Sequence, residues 1–262
     1  SGLSHGTDVW LGNAKDLIDN KTCTISEVIG TRDSIMTYLM HKGLEPGMAF
    51  KIMEIVRKGN ATKLLTEEHF KAMREHNVPE WYIDSCMKIK YMFPKAHAAA
   101  YVMMAWRIAY CKVYYPLAYY AAFFSIRATA FNYELMCQGK EKLNYFIKDY
   151  EKRKDTLTKK EQDTVKDMRI VQEMYARGFT FLPLDVYTAK ARYFQIIDGK
   201  LMPALNTIEG LGDKAAEAIE DAAKQGAFLS KDDFRQRTKA TKTVIDPVSY
   251  THLRAHETSQ DL

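Results

Sequence analysis

The residues best suited to chemistry lie in one short segment, which reads Tyr91-Met-Phe-Pro-Lys-Ala-His-Ala-Ala-Ala-Tyr101. Pro94 favours the start of a helix, so Lys95 and His97 fall in a first turn, where the helix dipole favours a bound anion. His97 and Tyr101 are four residues apart and share one helix face. Alone, His97 is more typical of a structural histidine, and the alanines of a packing face. Together with Lys95 and the surrounding charge pattern, they predict a phosphate or nucleotide site.

This segment lies in a stretch with an uneven charge balance. Residues 85–133 contain no Asp or Glu but many aromatic rings, and their six cations are Lys88, Lys90, Lys95, Arg107, Lys112 and Arg127. Lys and Arg neutralise phosphates while rings stack on bases, so the stretch favours a nucleotide or nucleic acid. A buried core helix explains the rings but not the missing acids. The uncharged runs 96–106 and 113–126 are shorter than the roughly 20 residues of a membrane span, so we expect no membrane partner.

Three other cations and one polar motif are weaker candidates. Arg32 lies in a predicted first helical turn, where a cation opposes the helix dipole, although Asp33 beside it compensates. Arg57 and Lys58 end a predicted helix, where cations are common, and they rank lower as phosphate contacts. The motif Ser4-His-Gly-Thr7 is typical of a helix N-cap and by itself indicates little.

A second motif, Glu209-Gly-Leu-Gly212, predicts a tight turn between two helices. Gly210 and Gly212 can adopt backbone angles closed to other residues, and Leu211 is expected to anchor the turn inward. The next helix then presents its first N–H groups, and Lys214, as duplex contacts. This is the helix-hairpin-helix pattern, which binds the DNA backbone without reading sequence. The alternative is an ordinary packing corner between helices, and we favour the DNA interpretation.

The elements that position these motifs are mostly helical. Capping residues, prolines and apolar periods predict helices over 32–42, 46–58, 67–76, 80–91, 95–115, 117–127, 140–154 and 158–177. After Gly178 the pattern changes, and an Asp198-Gly199 turn predicts a β-hairpin with strands at 193–197 and 200–202. The expected fold is mainly α, a multi-helix domain followed by a small α+β region with the hairpin and the helix-hairpin-helix element.

Composition limits the remaining choices. The chain has 262 residues, 47% of them hydrophobic, which is enough for a sizeable core and about two domains. The net charge is only +5, so the cationic stretch is a local feature. Four widely spaced cysteines form no CxxC pair, which indicates reduced thiols and a cytoplasmic location. The chain has no initiator Met and no signal peptide, and we interpret it as a fragment.

Catalytic motifs are missing from the sequence. There is no Asp-x-Asp on a strand-like segment, no Walker loop, no HExxH and no Gly-x-Ser-x-Gly. Two-metal nucleotidyl transfer requires carboxylates that hold both ions. We therefore predict no catalytic residue, no metal ligand and no cofactor bound by this chain. It is expected to bind rather than to catalyse.

Four long motifs resemble one family. They are SGLSHGTDVWLGNAKDLI, EVIGTRDSIMTYLMHKGLEPGMAFKIMEIVRKG, VPEWYIDSCMKIKYMFPKAHAAAYVMMAWRIAY and IEGLGDKAAEAI. They closely resemble the C-terminal third of the PolC-type DNA polymerase III alpha subunits of Gram-positive type, a branch of the replicative C-family polymerases. The other branch carries a similar Asn-Lys-Ser-His-Ser-Ala-Ala-Tyr stretch. The resemblance implies fingers over 1–130, a helical connection over 131–178 and a duplex-binding region over 179–246.

The resemblance also implies roles for the candidate residues. Arg32 would neutralise triphosphate oxygens with help from Lys95 and His97, and Arg57 and Lys58 would be further phosphate contacts. Tyr91 and Phe93 would shape the base pocket, with Tyr101 on the same nucleotide side. Gly210, Leu211, Gly212 and Lys214 would meet the duplex.

At the level of the whole protein, the resemblance implies a DNA-directed DNA polymerase that binds dNTP and primer-template DNA. The parent would use Mg²⁺, whose ligands lie outside this chain, and would meet the sliding clamp and other replisome subunits at the bacterial nucleoid. The fragment lacks the palm aspartates, so we predict that alone it is inactive. The alternatives are a stand-alone, non-catalytic helix-hairpin-helix DNA-binding protein and a helical scaffold whose basic face meets an acidic protein.

The last residues, 247–262, fit nothing before them. They read PVSYTHLRAHETSQDL and have no apolar period. We interpret them as read-through of a sequencing adaptor, an artefact outside the native fold. Their histidines are not treated as metal ligands, and Ser259-Gln-Asp-Leu262 is not treated as a clamp motif.

Overall fold

The computed structural model describes residues 1–239, in which helices predominate and one β-hairpin is present. The prediction for 247–262 lies outside the described residues. The helices are α1 Gly2–His5, α2 Lys15–Asp19, α3 Arg32–His41, α4 Pro46–Arg57, α5 Ala61–Leu64, α6 Glu67–Glu75, α7 Glu80–Lys88, α8 Lys95–Tyr114, α9 Pro116–Ile126, α10 Tyr133–Met136, α11 Lys140–Lys152, α12 Lys159–Ala176, α13 Asp213–Lys224 and α14 Lys231–Thr238. The strands are β1 Gln195–Ile197 and β2 Lys200–Met202.

The chain divides into two compact units, Ser1–Arg107 and the part from Ile108 onward. The boundary falls inside α8, whereas the sequence predicted the end of the first domain at residue 130. The predicted division of the chain into fingers, connection and duplex-binding region stays a prediction.

In the first unit, α3 and α4 pack together around a core that includes Ile35, Leu39, Ile52 and Val56. Local signals explain their ends. Gly43 closes α3 with φ +98°, and the Glu45 carboxylate accepts the Gly47 and Met48 N–H groups at 2.9 and 2.8 Å, which caps α4. These helices match the predicted ones within a residue or two.

Two local predictions in this unit are wrong. The helix expected over 80–91 ends at Lys88, and Tyr91 instead pairs with Thr7 in an antiparallel bridge. Ser4 lies inside the short helix α1, which ends at His5, so the motif around it terminates a helix rather than capping its start. At Tyr91 a tertiary contact between distant segments overrides the local pattern.

Helix α8 has no buried residue along its 20 positions. Its apolar side chains are exposed, and Trp106 is 74% exposed. The core-helix interpretation of the aromatic residues therefore does not hold for α8 itself. None of the helices described over residues 1–239 combines the length and apolar character needed to cross a membrane.

In the second unit, the described residues form a helical part and a small α+β part. Helices α9, α11 and α12 share a core with Phe181, Phe194 and Leu201. In the β-hairpin, Ile196 pairs with Leu201, and both Asp198 and Gly199 have positive φ, as a type I′ turn requires. The last core packs α13 and α14 together. The predicted fold class, mainly α with a small α+β region, is confirmed.

Candidate nucleotide and DNA sites

Three of the predicted phosphate contacts converge on one carboxylate, Glu54. The Arg57 guanidinium donates through Nε and Nη2, the latter at 2.8 Å, and Lys58 Nζ lies 3.2 Å from Glu54 Oε2. Arg32 Nη1, from α3, lies 3.8 Å from Glu54 Oε1. The hydrogen bond from Arg57, followed by that from Lys58, lowers the pKa of Glu54 to about 2 against the effect of burial. Glu54 is ionised and carries three cations around it.

Backbone contacts join this cluster to the aromatic segment. The Arg32 N–H donates to the Phe93 carbonyl at 3.1 Å, and the Met92 N–H donates to the Arg57 carbonyl at 3.1 Å. Gly59, with φ +70°, permits this approach, because a Cβ there would collide with the Lys90 carbonyl. The first turn of α3, the last turn of α4 and residues 90–93 therefore form one framework.

The aromatic candidates form a cluster of their own. Phe93 and His97 stack with ring centroids 4.2 Å apart and an interplanar angle of 16°. Tyr91 meets Phe93 edge-on at 4.9 Å, and Tyr101 lies 4.6 Å from His97. Tyr91 and Tyr101 remain 44% and 48% exposed, so the cluster can still be reached from solvent. The structure thus brings together the four predicted ring residues.

Sequence reasoning missed a fifth ring, that of His5. Its Nδ1 lies 3.1 Å from His97 Nε2, and its ring meets Tyr101 edge-on at 4.7 Å. Thr7 holds the segment in place, since its N–H donates to the Tyr91 carbonyl at 2.9 Å and its carbonyl accepts the Lys90 N–H at 3.1 Å. The crowding at Gly6, where a Cβ would collide with the Val9 side chain, is visible only in the structure, and no sequence pattern marked His5.

The start of α8 differs from the expected open anion site. The Lys95 N–H donates to the Asp33 carboxylate at 2.5 Å, so an internal anion already occupies this first N–H group. The Lys95 side chain forms no ion pair with another residue of 1–239, and the same holds for Lys88, Lys90, Arg107 and Arg127.

One of the six cations of the acid-free stretch does have an acidic partner. Lys112 Nζ lies 2.8 Å from Glu173 Oε2, and Tyr120 donates to the same carboxylate at 2.9 Å. The interpretation that no acid balances the stretch is therefore wrong at this position. A carboxylate 61 residues away in sequence supplies the counter-charge, which a local charge count does not show.

The hairpin motif follows its prediction in part. Gly210 has φ +81°, which favours glycine, and Leu211 is buried against Ile208 and Ile219 in the core of the second unit. Gly212 instead has φ −77° and ψ 162°, angles open to any residue, so the expectation of special backbone angles is wrong there. Lys214 is exposed in the first turn of α13.

A groove of about 700 Å³ adjoins this turn. Its lining includes three carboxylates, Glu134, Glu161 and Glu209, and one amine, Lys160. Gly210, Leu211 and Gly212 also line this groove, so the nearby carboxylates would weaken the binding of a duplex backbone at the turn. Within residues 1–239, no group of three or more His, Cys, Asp or Glu side chains is placed to hold a metal ion.

Comparison with known proteins places these features in a family. Residues 1–77 match the bacterial DNA polymerase III alpha subunit finger domain, and residues 178–250 match the helix-hairpin-helix motif. The chain is 53% identical over 247 residues to DNA polymerase III PolC-type of Bacillus cereus, and 51% identical over 246 residues to that of Bacillus subtilis. Both alignments cover 94% of the chain.

The chain belongs to the PolC-type DNA polymerase III family. A relative from Caldanaerobacter subterraneus with the same description is 50% identical over 246 residues. The chain spans only 17% of the length of each of these PolC-type relatives. The resemblance noted from the motifs is confirmed, although the matched part is smaller than the third of the protein first inferred.

Proposed function

We propose that this chain provides nucleotide-binding and primer-template-binding surfaces of a replicative DNA-directed DNA polymerase. The observation that carries the proposal is the convergence of Arg32, Arg57 and Lys58 on Glu54, in a framework shared with the Phe93–His97 stack. A deoxynucleoside triphosphate combines several negative charges with a flat base, and this site offers cations and exposed rings. The relatives are named as DNA polymerases.

Each candidate residue then has a physical role. Arg32 and Lys58, with Lys95 and His97, would neutralise phosphate oxygens of the incoming nucleotide. Tyr91, Phe93 and Tyr101 would contact the base side. Nucleotidyl transfer of this kind uses Mg²⁺, which would stabilise the negative charge of the reacting phosphates. We assign the ligands of this metal to other parts of the parent polymerase, because two-metal transfer requires carboxylates that hold both ions and the sequence has no Asp-x-Asp on a strand-like segment.

The nucleotide role is tested in the full-length polymerase that carries this sequence. Arg32→Ala should raise the KM for dNTP roughly tenfold or more, because a charge-assisted hydrogen bond contributes about 1.5–3 kcal/mol. Lys71→Ala is the control, since Lys71 pairs with Glu75 on α6 and contacts none of the candidate residues. An unchanged KM for dNTP in the Arg32→Ala variant would contradict the assignment of Arg32 to the nucleotide site.

The duplex role rests on Gly210, Leu211, Gly212 and the exposed Lys214. Gly210→Val should weaken duplex binding by the full-length protein. Gly139→Val, a substitution at another positive-φ glycine with open space around it, controls for general strain. Lys214→Ala should reduce the slope of log K against log salt by about 0.9, the value for one phosphate contact. Equal affinities for the Gly210 and Gly139 variants would count against the hairpin as a contact.

The second candidate function is that of a stand-alone DNA-binding protein. The match to the helix-hairpin-helix motif supports DNA binding under this candidate too. Both candidates predict that Arg32→Ala leaves duplex affinity nearly unchanged. Only the polymerase predicts a change in the KM for nucleotide. The isolated chain is expected to extend no primer with any divalent metal, and measurable dNTP incorporation by the pure chain would contradict this.

The remaining assignments follow from the polymerase proposal and depend on it. The parent would act in the bacterial cytoplasm at the nucleoid and would meet the sliding clamp and other replisome subunits. If the basic face instead binds an acidic protein, binding would not show the linear salt dependence that phosphate contacts produce.

A further inference from the structure

Glu54 is placed where an incoming phosphate would also bind. Arg32, Arg57 and Lys58 all reach its carboxylate, so the local charge is three positive against one negative. The Glu54 side chain is 23% exposed and that of Lys58 53% exposed. A groove of about 320 Å³ is lined by Glu54 and Lys58 and also by a further cation, Lys51. The carboxylate therefore lies at an accessible, positively charged surface.

The three contacts differ in strength. Arg57 is on the same helix as Glu54, three residues further on, and engages both carboxylate oxygens through two donors. Lys58 makes one contact at 3.2 Å, and Arg32 reaches across from α3 at 3.8 Å, beyond hydrogen-bond range. Arg57 is thus held to Glu54, whereas Arg32 and Lys58 can exchange this carboxylate for another anion at small cost.

We propose that Glu54 is an internal substitute for the nucleotide's phosphates: it holds Arg32 and Lys58 ready before nucleotide binds and competes with the triphosphate for both. This inference rests on the proposed nucleotide site. Binding is an exchange of partners, in which phosphate oxygens replace the Glu54 carboxylate on the two cations. The low pKa of Glu54 keeps it charged at every physiological pH, so the competition needs no proton.

The arrangement would select for ligands of high charge. A single phosphate offers too little charge to displace Glu54 from two cations, whereas a triphosphate offers enough to bind both cations and to outweigh the repulsion by the carboxylate. Without Glu54, the nucleotide-free site would carry three unpaired cations, which would bind any anion in the cell. Glu54 thereby reduces nucleotide affinity and raises selectivity.

The test uses the full-length polymerase with Glu54→Gln, which keeps the side chain's shape and removes its charge. The KM for dNTP and the inhibition constant of inorganic tripolyphosphate should both fall about three- to tenfold, the range expected for losing one partly screened charge contact. Glu75→Gln is the matched control, because Glu75 pairs with Lys71 outside the site and should leave both constants unchanged.

Either an unchanged or a raised KM in Glu54→Gln would overturn the inference, and a raised KM would mean that Glu54 positions the cations rather than competing for them. If Arg32→Ala raises the KM but Glu54→Gln does not lower it, only this inference fails. If neither variant changes the KM, the nucleotide site itself fails. If the Gln variant does not fold, Glu54→Asp replaces it in the test. Its shorter side chain withdraws the carboxylate from Arg32, so the KM for dNTP and the inhibition constant of tripolyphosphate should both fall, but by less than in Glu54→Gln.

Discussion

His5 Nδ1 and His97 Nε2 lie 3.1 Å apart and share a hydrogen bond between α1 and the first turn of α8. In such a pair one ring nitrogen donates and the other accepts, so each ring restricts the tautomer and orientation of the other. His97 is also stacked on Phe93, which leaves its ring little freedom to rotate. We therefore propose that His5 positions His97 in the proposed nucleotide site.

The first prediction concerns this pair. His5→Ala in the full-length polymerase should raise the KM for dNTP by roughly threefold to tenfold, less than His97→Ala, because only the orientation of His97 is lost. The double variant should resemble His97→Ala alone. Ser4→Ala is the control, since the Ser4 hydroxyl contacts only the Ser1 carbonyl among described residues. Fully additive effects of the two substitutions would show that the hydrogen bond plays no part.

The second prediction concerns the approach of α4 to residues 90–93. Gly59 and Gly12 both have φ +70°. An added Cβ at Gly59 would collide with the Lys90 backbone, whereas an added Cβ at Gly12 would have no other atom within 4 Å. Gly12→Ala should lower the free energy of unfolding by about 1 kcal/mol, and Gly59→Ala by about 2–4 kcal/mol. Urea denaturation measures both. Equal losses would mean that the close approach is absent in solution.

The third prediction concerns acid stability. The pKa of Glu54 is about 2 in the folded chain against an ordinary value of 4.5, so the ionised carboxylate stabilises the fold above pH 4.5. This contribution is lost as the pH falls through the folded pKa. The wild type should exceed Glu54→Gln by about 0.5–1 kcal/mol near neutrality, and the difference should close towards pH 2. A difference that stays constant over this range in urea denaturation would contradict the assignment.

The fourth prediction separates the two glycines of the hairpin motif. Gly210→Ala should cost about 1 kcal/mol of unfolding free energy, because its φ of +81° is unfavourable for a residue with a Cβ. Gly212→Ala should be close to neutral: φ −77° suits alanine and no atom crowds the position, but alanine is a poorer N-cap of α13 than glycine. A loss at Gly212 equal to that at Gly210 in thermal or urea unfolding would contradict the observed turn.

Local features of the fold follow from neighbouring residues and were accessible to sequence analysis. Gly43 ends α3, Pro46 begins α4, Pro116 begins α9, and Asp198-Gly199 forms the hairpin turn. Each of these depends on backbone angles or capping within a few residues. The end of α7 at Lys88 was missed because Tyr91 pairs with Thr7, and no local pattern encodes that pairing.

For the site, the sequence by itself determined which side chains could bind an anion and a flat base, and the family motifs narrowed the choice to Arg32, Tyr91, Phe93, Lys95, His97 and Tyr101. Only the tertiary structure decided their partners. His5 meets His97 across 92 residues of sequence, and Asp33 meets the Lys95 N–H across 62. Such pairs form because the fold of the first unit brings the first turn of α8 close to α1 and α3. Residue type and spacing determine which interactions a side chain is able to form. Which charged group lies next to it depends on how the fold brings distant segments together.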